Sequence, residues 1–411
     1  MVAITSPERP SSLALDRPAS AIASARRAVV ADRYAASSLE VEWRNFPDLR
    51  SITAEWRALA ARALEPNVFY EPEFALEAAG VFSPDVGAVL VWSGTTPREL
   101  LGFFPALIET RRYVVGPAVL SGWTHSYAPL GTPLVEREAA EPVIAAWLAH
   151  LADNRALPGL LLLPYLAAEG PFAAVLDAIL TRAQMPVADF NFHRRAQLVP
   201  GDDRLLYVEH TLAQHKHKEL RRGVRRLSDL SAILFTTATE PETVAGAVED
   251  FLELESRGWK GKAGTAALYH DDVRGFIKTM ATSLAADGKA AVHRMLIDGR
   301  AVAVAITLRS ADTAWLWKIT YDENYAQYSP GVILAVAVTE ELIDDATIVR
   351  TDSCATSEHP MIDHIWRERS AFCDRLIAVR PQAPFLLARR LEALRGAAIG
   401  AAKTIRERFH R

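Results

Sequence analysis

The chain is predicted to be an α/β protein of two successive units, each a mixed sheet flanked by helices. Strand-type runs alternate with helical segments along the whole chain instead of gathering at one end. Two pairs of strands are joined by hairpin-type turn signals, Ser93 to Pro97 and Asp298-Gly299. The 411 residues, 50% of them hydrophobic and 23% charged, are enough for two or three cores.

Composition also excludes several classes. A net charge of -4 argues against a protein that coats nucleic acid by bulk electrostatics, so DNA is not an expected partner. The two cysteines, Cys354 and Cys373, make neither a disulfide framework nor a metal-site spacing, which suggests a reducing compartment. No run approaches the ~18 uninterrupted apolar residues of a membrane span. Near the N-terminus, Arg9, Arg17 and Arg26 are interspersed with Asp16, Asp32 and prolines, unlike a signal peptide. A soluble cytoplasmic protein is expected, with residues 1–37 as a loose leader.

The first unit is expected over residues 38–200. Leu39 to Trp43 alternates as a strand, Leu49 to Leu64 has helical spacing, and Pro72 to Val81 reads as a second helix. Val86 to Trp92 and Leu100 to Ile108 are apolar strands. Gly116 to Val135 is rich in proline and glycine yet carries aromatics and His125, the mark of a functional irregular segment. Helix Ala139 to Ala152, strand Leu160 to Leu163, helix Pro171 to Ala183 and strand Val187 to Phe192 complete the unit.

The second unit is expected over residues 204–381. It opens with a basic helix, Thr211 to Leu227, whose Lys218, Arg221, Arg222 and Arg225 share one face. Strand Ala232 to Thr237, helix Pro241 to Ser256, a loop at Arg257 to Gly261 and helix Asp271 to Ala285 follow. Strands Ala291 to Ile297, Ala301 to Leu308 and Thr313 to Thr320 come next, then a helix starting at Ser329-Pro330-Gly331. Strand Ile348 to Asp352, helix Pro360 to Arg369 and strand Leu376 to Val379 close the unit. Residues 384–411 read as one amphipathic helix whose cationic side suits a peripheral membrane or protein contact.

The second unit resembles the BioF2-like or CelD-like GNAT acetyltransferase domain. The likeness rests on KHKELRRGVRRL (216–227), FLELESRGWKGKAG (251–264), YDENYAQYSPGVIL (321–334) and the strand ending at Asp352. Related Fem-type aminoacyltransferases resemble two such domains in tandem, and the two units suit that picture. The resemblance implies N-acyl transfer from acyl-CoA, most simply acetyl-CoA, to an amine on a small molecule or sugar, without a metal. A Fem-like reaction with charged tRNA is the less favoured alternative; a non-catalytic accessory role in surface-polysaccharide biosynthesis is the third.

By the same resemblance the cofactor pyrophosphate falls on Gln327, Tyr328, Ser329, Pro330, Gly331 and Val332. The usual glycine-rich form is missing there, and Pro330 removes a backbone donor. Proton transfer is expected from Asp352 and His359, with Tyr321 as a donor to the leaving thiolate. Trp259, Lys260 and Arg222 are the expected acceptor contacts, and His125 and Tyr127 are candidates to reach the same cleft. Cys354 is read as a buried thiol, not a nucleophile. After Asp352 the family's glycine-rich and Tyr-Lys segment is replaced by a stretch carrying His359, His364 and Trp366.

Overall fold

The structure is a computed structural model that describes residues 39–201, 207–211, 214–229, 231–381 and 383–409. The expected leader and the expected start of the second unit at Arg204 lie outside the described residues. The first run of elements is β1 (Glu40–Asn45), α1 (Thr53–Ala61), α2 (Pro72–Phe82), β2 (Gly87–Trp92), β3 (Leu100–Glu109), β4 (Val119–Gly122) and β5 (Leu134–Val135). It continues through α3 (Ala140–Asp153), β6 (Leu160–Ala167), α4 (Pro171–Arg182) and β7 (Val187–Leu198).

The second run is α5 (Tyr207–Thr211), α6 (Gln214–Ser228), β8 (Ile233–Ala238), α7 (Pro241–Arg257), α8 (Trp259–Lys262), α9 (Asp271–Ala286), β9 (Ala290–Ile297), β10 (Arg300–Ser310) and β11 (Thr313–Tyr321). Then come α10 (Pro330–Asp344), β12 (Arg350–Asp352), β13 (Glu368–Ala378) and α11 (Phe385–Phe409).

Local chemistry explains the boundaries. Pro72, Pro171, Pro241 and Pro330 open their helices at a position where a missing N–H breaks no helical hydrogen bond. Asp298 and Gly299 have φ of 50° and 73°, the left-handed pair that a two-residue hairpin between β9 and β10 requires.

The strands form one sheet in the order β1-β2-β3-β4-β6-β13-β7-β12-β11-β10-β9-β8, with β5 paired to β3. In the first run β1 is followed by two helices, four strands, a helix and β6; in the second β8 is followed by three helices, three strands, a helix and β12, and the two runs are joined by hydrogen-bonded strands. β13 inserts antiparallel between β6 and β7, and β7 pairs with β12 through Thr351↔Leu198 and Asp352↔Gln197. An aromatic core lies on one face across the join: Phe74 packs edge-on to Phe276 at 5.3 Å and Phe69 to Trp315 at 5.9 Å. Such pairs contribute roughly 0.5–1.5 kcal/mol each beyond area burial.

Several expectations are corrected. The helix expected at Pro360 to Arg369 is a short 3-10 turn, Ile362–His364, followed by β13. Ile362, Ile365 and Trp366 do bury in a core, but hydrogen bonding to β6 and β7 on both sides draws the chain from Glu368 onward into a strand. The expected strand at Leu376 is only the end of that one. β7 runs past Phe192 to Leu198, Gly116 to Val135 contains β4 and β5, and Trp259–Lys262 is a helical turn instead of a loop. Among the described residues no helix is long and apolar enough to cross a membrane.

Candidate functional site

β11 is paired along its whole length with β10, but with β12 only at Thr313 to Trp315. Beyond Trp315 its second edge has no strand partner among the described residues, because the neighbouring chain turns away. The Asp352 carboxylate accepts the Cys354 N–H at 2.9 Å, and Cys354 takes a φ of 53°, which ends the strand. The two strands therefore open into a V whose wall is Leu316 to Tyr321.

A segment from the first unit reaches this V. The Trp317 indole donates to the Tyr127 carbonyl at 2.8 Å, and the Lys318 ammonium sits 4.1 Å from the Tyr127 ring centre and 5.4 Å from that of Trp317. Among the described residues no carboxylate pairs with Lys318. Burial pushes its pKa down to about 8; nearby Lys260 adds to that and Glu255 opposes it. Glu255 is itself buried, holding Lys260 at 2.5 Å and accepting the Ala267 N–H at 2.9 Å. Beside them Glu255, Trp259, Lys260, Tyr321 and Glu323 line a small concavity of about 70 Å³.

The helix start of α10 differs from the expected one. Ser329 adopts the left-handed conformation, φ 55° and ψ 49°, and its hydroxyl does not cap the helix. Its carbonyl accepts from both Val332 (3.0 Å) and Ile333 (3.1 Å), while its own N–H goes to Ala326. Pro330 has no N–H, so Gly331 N–H is the remaining backbone donor of the first turn. A Cβ on Gly331 would lie 3.0 Å from the Tyr321 ring, so that ring covers the helix start. Gln327 and Ser329 are exposed and Tyr328 and Val332 half-buried. Gly223 of α6 packs against the Tyr328 carbonyl so closely that a Cβ would approach it to 2.9 Å. The basic helix thus lies against the expected cofactor loop. Arg222, beside that contact, is exposed and has no ion-pair partner among the described residues.

The expected proton-transfer pair is not joined. Asp352 is buried, and its second oxygen takes a 2.5 Å bond from Arg195, whose guanidinium also donates to the Pro129 carbonyl at 2.9 Å and lies 3.9 Å over Phe372. His359 is half-buried, receives the Met361 N–H at 3.3 Å, and is held below the usual imidazole range by burial, with Asp363 opposing. No hydrogen bond or ion pair links the two among the described residues. Trp259, Lys260 and Tyr321 do converge, around the small concavity. His125 is half-buried against Phe82, its ring 4.3 Å away, with its pKa pushed down to about 3 by desolvation and by Lys318. Burial also raises the Cys354 thiol well above its ordinary value, against nucleophilic use.

Sequence reasoning passed over Lys318 and Glu255. A lysine among the tryptophans of an otherwise apolar strand was a usable signal for the first. Nothing marked Glu255, one of several acids on an amphipathic helix.

Residues 214–356 match the family described as Acetyltransferase (GNAT) domain. Among solved structures, the chain is similar to the C-terminal domain of a putative lysylphosphatidylglycerol synthetase from Agrobacterium fabrum. That likeness has 11% identity and a TM-score of 0.52, and covers 85% of this chain and 96% of that one. It is also similar to FemX, with 8% identity, a TM-score of 0.53, and coverage of 79% and 95%. No curated protein matches the chain in sequence. At such identities the likeness is one of fold, and it agrees with the layout of strands and helices described above. The chain has the GNAT-type acyltransferase fold.

Proposed function

We propose that the protein is an N-acyltransferase that binds an acyl-CoA, most simply acetyl-CoA, along the open edge of β11 and transfers the acyl group to an amine on a small molecule or sugar. The observation that carries this reading is the unpaired stretch Leu316 to Tyr321 with an unpaired lysine on it. Backbone groups there are free to hydrogen-bond the amides of a pantetheine arm. In the reaction the acceptor nitrogen attacks the thioester carbonyl, a C–N bond forms, the C–S bond breaks, and the thiolate leaves with the proton that the nitrogen loses. The Lys318 ammonium balances the oxyanion of the tetrahedral intermediate. Asp352 is committed to Arg195, so the base role falls to neutral His359, and Tyr321, over the helix start, is the donor to the thiolate. Trp259, Lys260 and Arg222 are assigned to the acceptor side.

A second reading has a specific observation behind it. The α10 start has a single free backbone donor and no glycine-rich cradle, whereas α6, which carries the exposed arginines, packs against the loop before it through Gly223. That favours a donor held by side-chain cations, such as an aminoacyl-tRNA. Calorimetric titration separates the two. Wild type is expected to bind acetyl-CoA, and Gly331→Trp, which drives a side chain into the Tyr321 ring, is expected to abolish binding. Binding of charged tRNA without acetyl-CoA would support the second donor, and binding of neither would leave a non-catalytic accessory role.

A further inference from the structure

The turn after β3 carries two valines at its tip, Val114 and Val115, which are 89% and 82% exposed. Val114 also has a φ of 64°, a conformation that a β-branched residue strongly disfavours and that asparagine or glycine would adopt readily. Stability and solubility thus both argue against valine here.

The tip is fixed to α11. Arg112 forks onto the buried Glu392 with bonds of 2.9 and 2.7 Å, and a Cβ on Gly116 would sit 3.0 Å from Leu391. Leu387, Leu391 and Leu394 follow the i, i+4, i+7 spacing of one helix face, and Leu387 and Leu394 are 51% and 67% exposed. The turn that carries the valines thus meets the leucine stripe at Leu391, through Gly116. Arg390, at the edge of that helix face, and Arg111, just before the tip, are exposed and without ion-pair partners among the described residues.

We propose that this surface docks the protein on an anionic membrane. Two features favour a lipid surface over a protein partner. The tip is highly exposed, where a protein partner would have to supply a matching cavity, and the unpaired arginines beside it are complementary to acidic headgroups. Residues so placed would lie in the interfacial region of one leaflet without crossing it.

The test is co-sedimentation of the full chain with vesicles of phosphatidylcholine alone or containing phosphatidylglycerol. Binding is expected only with the anionic lipid and is expected to weaken with salt. Val114→Gly with Val115→Gly should lower binding by roughly tenfold or more while leaving thermal stability about unchanged, because glycine at 114 relieves the left-handed backbone and offsets the entropy that glycine costs at 115. Arg111→Glu with Arg390→Glu should reduce it similarly. Equal binding to both vesicle types, no effect of either double variant, or light scattering showing a dimer that the valine variant dissociates would each overturn the proposal.

Discussion

The two units repeat one layout and treat its central gap in opposite ways. In the first, β4 runs parallel to β6 only at Leu120↔Leu161 and Ser121↔Leu162 before the strands part. The chain after Gly122 then fills the opening. Tyr70 donates to the Trp123 carbonyl at 2.5 Å, Asn67 donates to those of Leu130 (3.3 Å) and Thr132 (2.8 Å), and the Gly131 N–H reaches Tyr165 at 3.0 Å. The start of α4 is occupied as well, since Glu65 accepts the Phe172 N–H at 3.1 Å and lies where a Gly170 Cβ would point. In the second unit β11 and β12 part after three residues and the edge stays open. The first gap is a core and the second a site, and the filler of the first supplies Tyr127 to the wall of the second.

The sharpest way to break that relation is at the join. Arg195 lies on β7 of the first unit, Asp352 on β12 of the second, and Pro129 in the filler, so one side chain ties all three. Arg195→Ala leaves a buried carboxylate unpaired, and denaturant unfolding is expected to show a loss of about 3–5 kcal/mol. Replacing both partners by apolar residues of similar volume should cost less. A loss as large in the double variant would mean that the packing over Phe372, not the charge, is what matters.

Opening the filled gap is the next step down. Asn67→Ala removes the donor to two carbonyls and the acceptor for the Phe69 N–H, at a fully buried position. A loss of roughly 2–3 kcal/mol is expected in the same unfolding experiment. Ligand binding should survive in whatever fraction remains folded if the first gap is purely structural.

How much of this the sequence revealed follows from the range of the interactions. Hairpins, proline-opened helices and the strand-loop-helix of β11 and α10 depend on residues a few positions apart, and they were legible. The insertion of β13 between β6 and β7 was not, because it is a pairing of Phe372 with His193 and Ala167, far away along the chain. The same distance hid the meaning of Asp352. A strand-end carboxylate reads as a base until Arg195 is folded onto it. Ser329 stands before Pro330 where a capping hydroxyl would, yet its left-handed backbone turns the carbonyl, not the hydroxyl, to the helix. Lys318 shows the limit most plainly, since its environment is made by Tyr127 from the other unit.

Lys318 therefore sharpens the comparison where substitution of a core residue would only damage it. A lysine whose pKa is lowered to about 8 in the folded protein is penalised for carrying its charge there. The unfolded chain keeps the ordinary, higher value. The penalty is thus fully present below pH 8 and relieved as pH rises from about 8 toward the unfolded pKa. Lys318→Met should accordingly be as stable as wild type or more so at pH 7, with the difference shrinking above pH 8. Function should move the other way. If the ammonium balances the oxyanion, turnover falls by roughly 10²-fold in the methionine variant. In wild type, the term it supplies declines as pH rises through about 8. Lys318→Arg, charged throughout, should lose that alkaline limb even if its rate is lower. A methionine variant of full activity, or an arginine variant with an unchanged alkaline limb, would take Lys318 out of the chemistry and leave it as a cation stacked on the tyrosine that closes the wall.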